Sequence, residues 1–412
     1  MRAAFAWRAQ PDRGFIDRVF DPKCAVRLTA LRLALRPGPD FPRRFRSLAF
    51  GATFGIQAFY FDHMMADVTM NPILAQALPR WRRTAVLAAV FFALGTSFAA
   101  QPDVVVAADG SGRYKTIREA IEATPQNHRE ATRPWTILVK SGIYRELVYV
   151  QREKRFVTLV GEAAEKTILT FDLFAALSGP DDKPIGTFRT PTLVVDADDF
   201  TVENLTIENT AGPRGQAVAL RVDGDRTVFR RCRMVGWQDT VLANRGRQYF
   251  EDCFIEGAID FIFGGGTAYF ERCQLRCTGP GYITAASTPP AQPFGFVFSH
   301  CTITGANAEV RTLLGRPWRE HAKTVFLYTE MSDVVQPIGW DNWKKPAAER
   351  TTFYAEFGST GLGAATAERA PWSKQLSATE AANYSRDAVL GGADGWDPTR
   401  VAPPRRGKKK TE

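Results

Sequence analysis

The 412 residues carry a formal net charge of +9, but the surplus is local: residues 1–100 hold 14 Lys and Arg against 6 Asp and no Glu, while the remaining 312 residues balance to +1. Within that remainder the tail at 405–412 contributes +4, so the body is close to −3 and gives no support to nucleic-acid binding. The length admits two or more average domains, although a chain of stacked repeats exceeds that expectation as one.

In chain order, residues 80–100 read as an export signal. Arg80, Arg82 and Arg83 form a basic end, an apolar run from Thr84 to Leu94 follows, and Ser97-Phe-Ala99 offers a small-x-small cleavage site. The run is too short to span a bilayer. Such a signal belongs near a chain's start, so Met70 is the expected start, with residues 70–100 as signal peptide. Residues 1–69, Arg-rich and without periodicity, then form a non-native or disordered extension; a genuine membrane-anchored extension is the alternative. The exported product is expected outside the cytoplasm, extracellular or periplasmic. The basic tail, residues 399–412, reads as disordered and solvated, with weak adhesion to a polyanion or a membrane surface as its functional alternative.

The body, residues 101–398, begins with a strand at 103–107 and a turn at Asp109-Gly-Ser-Gly112. Thr116 and Glu119 have the spacing of a capping box, with Ile117, Ala120 and Ile121 as the apolar stripe of a short helix. That helix suits the open end of a solenoid, whose last coil exposes an uncovered core. Strands follow at 135–139, 146–150, 156–160 and 167–170, then an irregular loop at 171–186, then strands at 192–195 and 200–207. Asn204 is expected at the inward position that later coils give to cysteine.

From residue 229 onward one pattern recurs. Phe-x-x-Cys appears at Phe229/Cys232, Phe250/Cys253, Phe270/Cys273 and Phe298/Cys301, at intervals of 21, 20 and 28 residues. Each is a short apolar strand between turns, the unit of a parallel solenoid in which stacked coils bury what one coil cannot. Asp239 and Asp260 each lie seven residues after a ladder cysteine. They are therefore expected side by side on neighbouring coils, whose strands are about 4.7–4.9 Å apart. Two carboxylates that close divide into a proton-holding acid and an anion.

Five cysteines remain after signal cleavage, Cys232, Cys253, Cys273, Cys277 and Cys301, in an oxidising compartment. Ladder cysteines one coil apart can approach disulfide spacing, and Cys253–Cys273 is the pair suggested; a buried stack of free thiols is the alternative. After one further coil at 324–328, a Trp-, Gly- and Pro-rich stretch at 339–372 leads to helical spacing at 375–388.

Five motifs in order, Gly142-Ile-Tyr-Arg-Glu146, Gln216-Ala-Val-Ala-Leu220, Gln238-Asp-Thr240, Asp260-Phe-Ile-Phe-Gly264 and Leu314-Gly-Arg-Pro-Trp318, resemble those of the pectin methylesterases over residues 103 to 396. The resemblance implies an all-β fold, a right-handed parallel β-helix with a short N-terminal capping helix and a C-terminal helical element. It implies hydrolysis of methyl esters on galacturonate units of pectin, with methanol released, no cofactor or metal, a monomer, and pectin as sole partner. Thr187 matches a substrate-binding threonine of the family, although Pro191-Thr-Leu193 departs from the usual Ala-Thr-Val.

On the residues themselves, Asp260 is the nucleophile, Asp239 the acid and then the base, and Arg316 the cation that keeps Asp260 ionised. The side-chain amides of Gln216 and Gln238 suit an oxyanion. Trp318 and Trp237 suit sugar faces, with core packing as the alternative for each. A uronate lyase would instead need acidic residues clustered for Ca²⁺. A non-catalytic carbohydrate-binding solenoid would have no reason to unite Asp239, Asp260 and Arg316. His128, His300 and His321 read as turn residues.

Overall fold

The computed structural model describes residues 101–126 and 132–400. The expectations for the extension, Met70, the export signal, His128 and residues 401–412 of the tail lie outside the described residues. Thr399 and Arg400 are described, and both bond the Asp397 carboxylate.

The body is a right-handed parallel β-helix, and every strand pairing in it is parallel. One face is an 11-stranded sheet that runs from Val104–Val106 to Lys374–Gln375. The other two faces fuse into a 13-stranded sheet. Fusion occurs because the strands Phe254–Gly264 and Gln274–Ala286 pass unbroken round the corner between them. The first of these pairs with Arg233–Val235 near its start and with Val241–Ala243 near its end. Successive strands meet in register, so like residues stack on like.

The repeat seen in the sequence is this stacking. Phe229, Phe250, Phe270, Phe298 and Phe326 form one column, with ring centroids 4.5–4.9 Å apart and planes within 11°. Each ring is fully buried and in van der Waals range of its neighbours, which fixes coil against coil. Beside them Cys232, Cys253, Cys273 and Cys301 form a second column, all free thiols, as is Cys277. The suggested Cys253–Cys273 disulfide is therefore replaced by the stack of thiols. In-register parallel strands hold equivalent Cβ atoms near the strand spacing of about 4.8 Å, wider than the roughly 3.5–4.5 Å a disulfide spans. Each thiol instead points at a main-chain carbonyl, Cys253 Sγ lying 3.4 Å from Phe229 O and Cys273 Sγ 3.4 Å from Phe250 O.

The expectation for Asn204 is also corrected. Register aligns Cys232 with Leu205, which is the inward residue, and Asn204 falls one place earlier. There it joins Arg231, Asp252, Arg272, His300 and Tyr328, all left-handed with φ of 50–54°. This column forms the tight corner between two faces, and the cysteine column follows it. The buried asparagine is Asn209, whose Nδ2 donates to the carbonyls of Leu173 and Val218.

Both ends are closed. The helix Ile117–Ala123 has its Thr116/Glu119 capping box and buries Ile117, Ala120 and Ile121. Glu146, from the first motif, accepts from the amides of Ile117 and Arg118 at 2.8 and 3.0 Å, satisfying two orphan donors of the first turn. At the far end the phenylalanine column stops where Phe326 pairs with Glu356. Glu356 is buried and bonds Arg369 Nε at 2.9 Å, while Trp340 Nε1 donates to the same carboxylate at 3.1 Å.

The helical spacing at 375–388 resolves into three short pieces, Ala378–Ala381, Ala382–Tyr384 and Arg386–Leu390. Ser385 breaks the run because it takes an extended backbone and accepts the Ala388 amide as an N-cap. The pieces cover Tyr249, Tyr269, Val297 and Val325 on the outside of the 11-stranded sheet.

Candidate active site

Asp239 and Asp260 lie beneath a cleft at one corner of the coil. The bridge Gln238↔Ile259 and the pair Val241↔Ile262 set the same offset, so the two aspartates occupy one rung of adjacent coils. Both are left-handed, with φ of 65° and 50°, a conformation Asp tolerates better than most residues. Gly257 makes the turn before Asp260 possible. A Cβ there would lie 2.3 Å from Phe261 Cβ.

The rung is equivalent in backbone and unequal in partners. Arg316, from the last motif, grips Asp260 with two prongs, Nε to Oδ1 at 2.9 Å and a terminal nitrogen to Oδ2 at 2.7 Å. The guanidinium lies between two aromatic faces, 3.9 Å from the Tyr282 centroid and 3.8 Å from that of Trp343. Such a sandwich fixes the fork and shields it from water. Asp239 makes no ion pair or side-chain hydrogen bond among the described residues.

Both carboxylates are nearly inaccessible, 7% exposed for Asp239 and 4% for Asp260. Burial pushes Asp239 well above the usual carboxylate range, and the Asp260 charge beside it pushes the same way, with Arg316 opposing. Burial also raises Asp260, but there the hydrogen bonds and charge of Arg316 oppose it, so Asp260 stays above the usual carboxylate range by less than Asp239 does. Of the two, Asp239 is the one that holds a proton.

A cleft of about 250 Å³ opens over the pair. Thr187, Gln216, Gln238, Asp239, Asp260, Arg316 and Trp318 all line it, so seven of the eight residues singled out in the sequence meet in one place. Trp237 does not line it. Its ring lies against Gly279, where a Cβ would stand 3.3 Å away. The structure adds Phe188, Phe263 and Trp343 to the lining. Trp343 sits in the Trp-rich stretch at 339–372, but nothing local ties it to Arg316. Phe263 sits inside a motif, yet which of its two phenylalanines faces out depends on how the strand turns the corner.

Two adjacent carboxylates, one protonated and one ionised, with neutral amides and aromatic faces in an open groove, define the equipment of a hydrolase acting on a carbohydrate polymer. The comparisons agree with that class. The pectinesterase family model matches residues 103–393. Pectinesterase 31 of Arabidopsis thaliana is 40% identical over 287 residues, covering 68% of this chain and 90% of that protein. Pectinesterase/pectinesterase inhibitor U1 of Solanum lycopersicum is 38% identical over 71% of this chain, which spans 51% of that longer protein. Among solved structures, the pectin methylesterase from carrot superposes with a TM-score of 0.67 at 34% identity, covering 72% of this chain and 96% of the other. Pectin methylesterase PemA from Erwinia chrysanthemi gives 0.62 at 30% identity, covering 73% and 99%. The chain belongs to the pectinesterase family and is an enzyme of the carboxylic ester hydrolase class.

Proposed function

We propose that the protein removes methyl esters from galacturonate units of pectin, with Asp260 as nucleophile and Asp239 as acid and base. The unequal partners of the shared rung carry this reading: Arg316 binds Asp260 alone. The Asp260 carboxylate adds to the ester carbonyl, and the side-chain amides of Gln216 and Gln238 donate to the oxyanion. Collapse breaks the bond to methoxide, which takes the Asp239 proton and leaves as methanol. The galacturonyl group is then an acyl anhydride on Asp260. Asp239, now a carboxylate, takes a proton from water as that water adds to the galacturonyl carbonyl. Asp260 leaves as carboxylate, the galacturonate product is freed, and Asp239 is protonated again for the next turnover.

Thr187 and Trp318, which line the cleft, are assigned to the sugar chain; Trp237, turned to Gly279, is given no sugar contact. The reading also has the protein exported, supported by the basic, apolar and small-residue order of residues 80–100. A lyase would draw on clustered cation ligands, and among the described residues no group of three His, Cys, Asp or Glu is gathered for an ion.

The test is methanol release from highly methylated pectin, with a chelator present, by the wild type and Asp260→Ala. Release by the wild type with a loss of roughly 10³-fold or more in the variant is the expected result. An Asp260→Ala enzyme at normal rate, or unsaturated sugar formed only when Ca²⁺ is restored, would sink the proposal.

A further inference from the structure

The two rings that enclose the Arg316 guanidinium are not mounted alike. Tyr282 belongs to the strand Gln274–Ala286 and is held there by pairing with Ile259 on one side and Leu313 on the other. Trp343 lies outside the strands, on a turn at 341–345 that follows the bridge between Gly315 and Trp340. Asp341 still runs beside the sheet, its amide donating to the Gly315 carbonyl at 3.1 Å. The chain then doubles back. The Asp341 carboxylate accepts the Trp343 amide at 2.6 Å, the Asn342 side chain accepts the Lys344 amide at 2.9 Å, and Trp343 and Lys344 both take φ of 54°. Consecutive left-handed residues other than glycine are costly and persist where their surroundings over-determine them.

Lys345 supplies the remaining constraint. Its Nζ donates to the Trp318 carbonyl at 3.0 Å and to the Pro317 carbonyl at 3.3 Å. The same ammonium stands 4.8 Å from the Trp343 ring centroid, and the Arg316 guanidinium stands 3.8 Å from it. Arg316, Pro317 and Trp318 are consecutive, so one lysine joins the turn that carries Trp343 to the stretch that carries the fork. Lys345 forms no ion pair among the described residues. Burial, then the charges of Arg319 and Arg316, hold its pKa below the ordinary lysine value, with Glu320 opposing. A cation set among cations and partly removed from water is held there by its two carbonyl bonds and the aromatic face rather than by an opposite charge.

Resting on the ester-hydrolysis reading above, we propose that Lys345 is a positioning residue for that reaction: it pins the Trp343 turn to the carbonyls of Pro317 and Trp318 and so keeps the indole closed over the Arg316 guanidinium. It touches no reacting atom. With the turn released, one side of Arg316 opens to water and the fork on Asp260 gains freedom, although Tyr282 still backs it. The chemical step then slows, because the nucleophile is aimed by the group that grips it.

The experiment measures kcat and KM for methanol release from methylated pectin by the wild type, Lys345→Met, Lys345→Arg, Trp343→Ala, and Lys345→Met combined with Trp343→Ala. Methionine keeps the apolar stem and drops the three donors. Lys345→Met lowers kcat about tenfold and leaves KM nearly unchanged, the pattern of a misplaced catalytic group. Lys345→Arg, which keeps donors for the carbonyls, restores most of the rate. In the Trp343→Ala background the same Lys345→Met change costs less than about twofold, since the latch has no ring left to hold. An unchanged kcat in Lys345→Met, whatever its melting temperature, overturns the proposal. An equal fall in both backgrounds also overturns it, because a charge acting alone does not need the indole. If Lys345→Met does not fold, Lys345→Gln is read by the same criteria. A second readout needs no turnover: in fluorotryptophan-labelled protein, the fluorine resonance of Trp343, assigned with Trp343→Phe, shifts and broadens in Lys345→Met and returns in Lys345→Arg. A wild type that releases no methanol from any substrate ends the ester-hydrolysis reading, and the Lys345 latch is then decided by that resonance, which overturns it if unmoved.

Discussion

Asp239 and Asp260 share one rung of the solenoid and the same left-handed backbone, yet among the described residues only Asp260 touches a guanidinium. Local sequence places both carboxylates, and a distant residue makes them different.

Asp239→Asn removes the proton donor while keeping shape and polarity. Methanol release should fall by about 10²–10⁴-fold, the range of a lost general acid. In the wild type, activity should decline on the alkaline side as Asp239 loses its raised proton, and the variant's residual activity should lack that limb.

The same substitution should stabilise the fold. The folded pKa of Asp239 lies above its ordinary value, so the folded state holds a proton that the unfolded chain has released. That contribution is fully present below the unfolded pKa and is lost as pH rises through the folded one. Urea unfolding near neutral pH should therefore find Asp239→Asn more stable than wild type by roughly 1 kcal/mol or more, the scale of an uncompensated buried polar group. The gap should close in acid.

Arg316→Gln takes away the charge and the fork together. The maximal rate should drop on the order of 10²-fold, comparable to losing one preorganised electrostatic contact. Without Arg316 nothing opposes the effect of burial on Asp260, so the acidic limb of the rate profile should move to higher pH. Rate against pH between 4 and 9 measures both effects; an unmoved limb would separate Arg316 from the ionisation of Asp260.

Trp318 lies at the cleft with its ring centroid 5.8 Å from that of Phe263, and it supports no charge of the rung. Trp318→Ala should raise KM for long pectin several-fold and change kcat little, because a stacked sugar contributes about 0.5–1.5 kcal/mol of contact in ground and transition states alike.

Glu356→Leu leaves Arg369 buried without its partner, at 3% side-chain exposure. The loss of stability should be about 3–5 kcal/mol by denaturant unfolding, much larger than for any surface ion pair of the corners. Glu356 and Arg369 changed together to Leu and Met should recover most of it.

Much of this was legible because a parallel stack copies sequence spacing into space. Equal offsets from Cys232 and Cys253 put Asp239 and Asp260 on one rung, and the phenylalanine pattern became the aromatic column. What spacing could not supply was the absolute phase of a corner. Asn204 differs from expectation for that reason, since one left-handed residue decides which neighbour faces in, and Trp237 lies against Gly279, in keeping with its core-packing alternative. Nor does a repeat announce which long-range side chains close over it. Trp343 and Tyr282 reach Arg316 from different coils, and no local pattern links them. The Cys253–Cys273 pairing failed on a smaller length, the difference between strand spacing and the reach of a disulfide.

A fold made of copies offers each chemical group more than once, and here two copies of one acid have been given unequal partners by address alone. Arg316 arrives from 56 residues beyond Asp260. A guanidinium delivered one coil earlier would meet Asp239 instead, and the charge environments would trade places with neither aspartate altered.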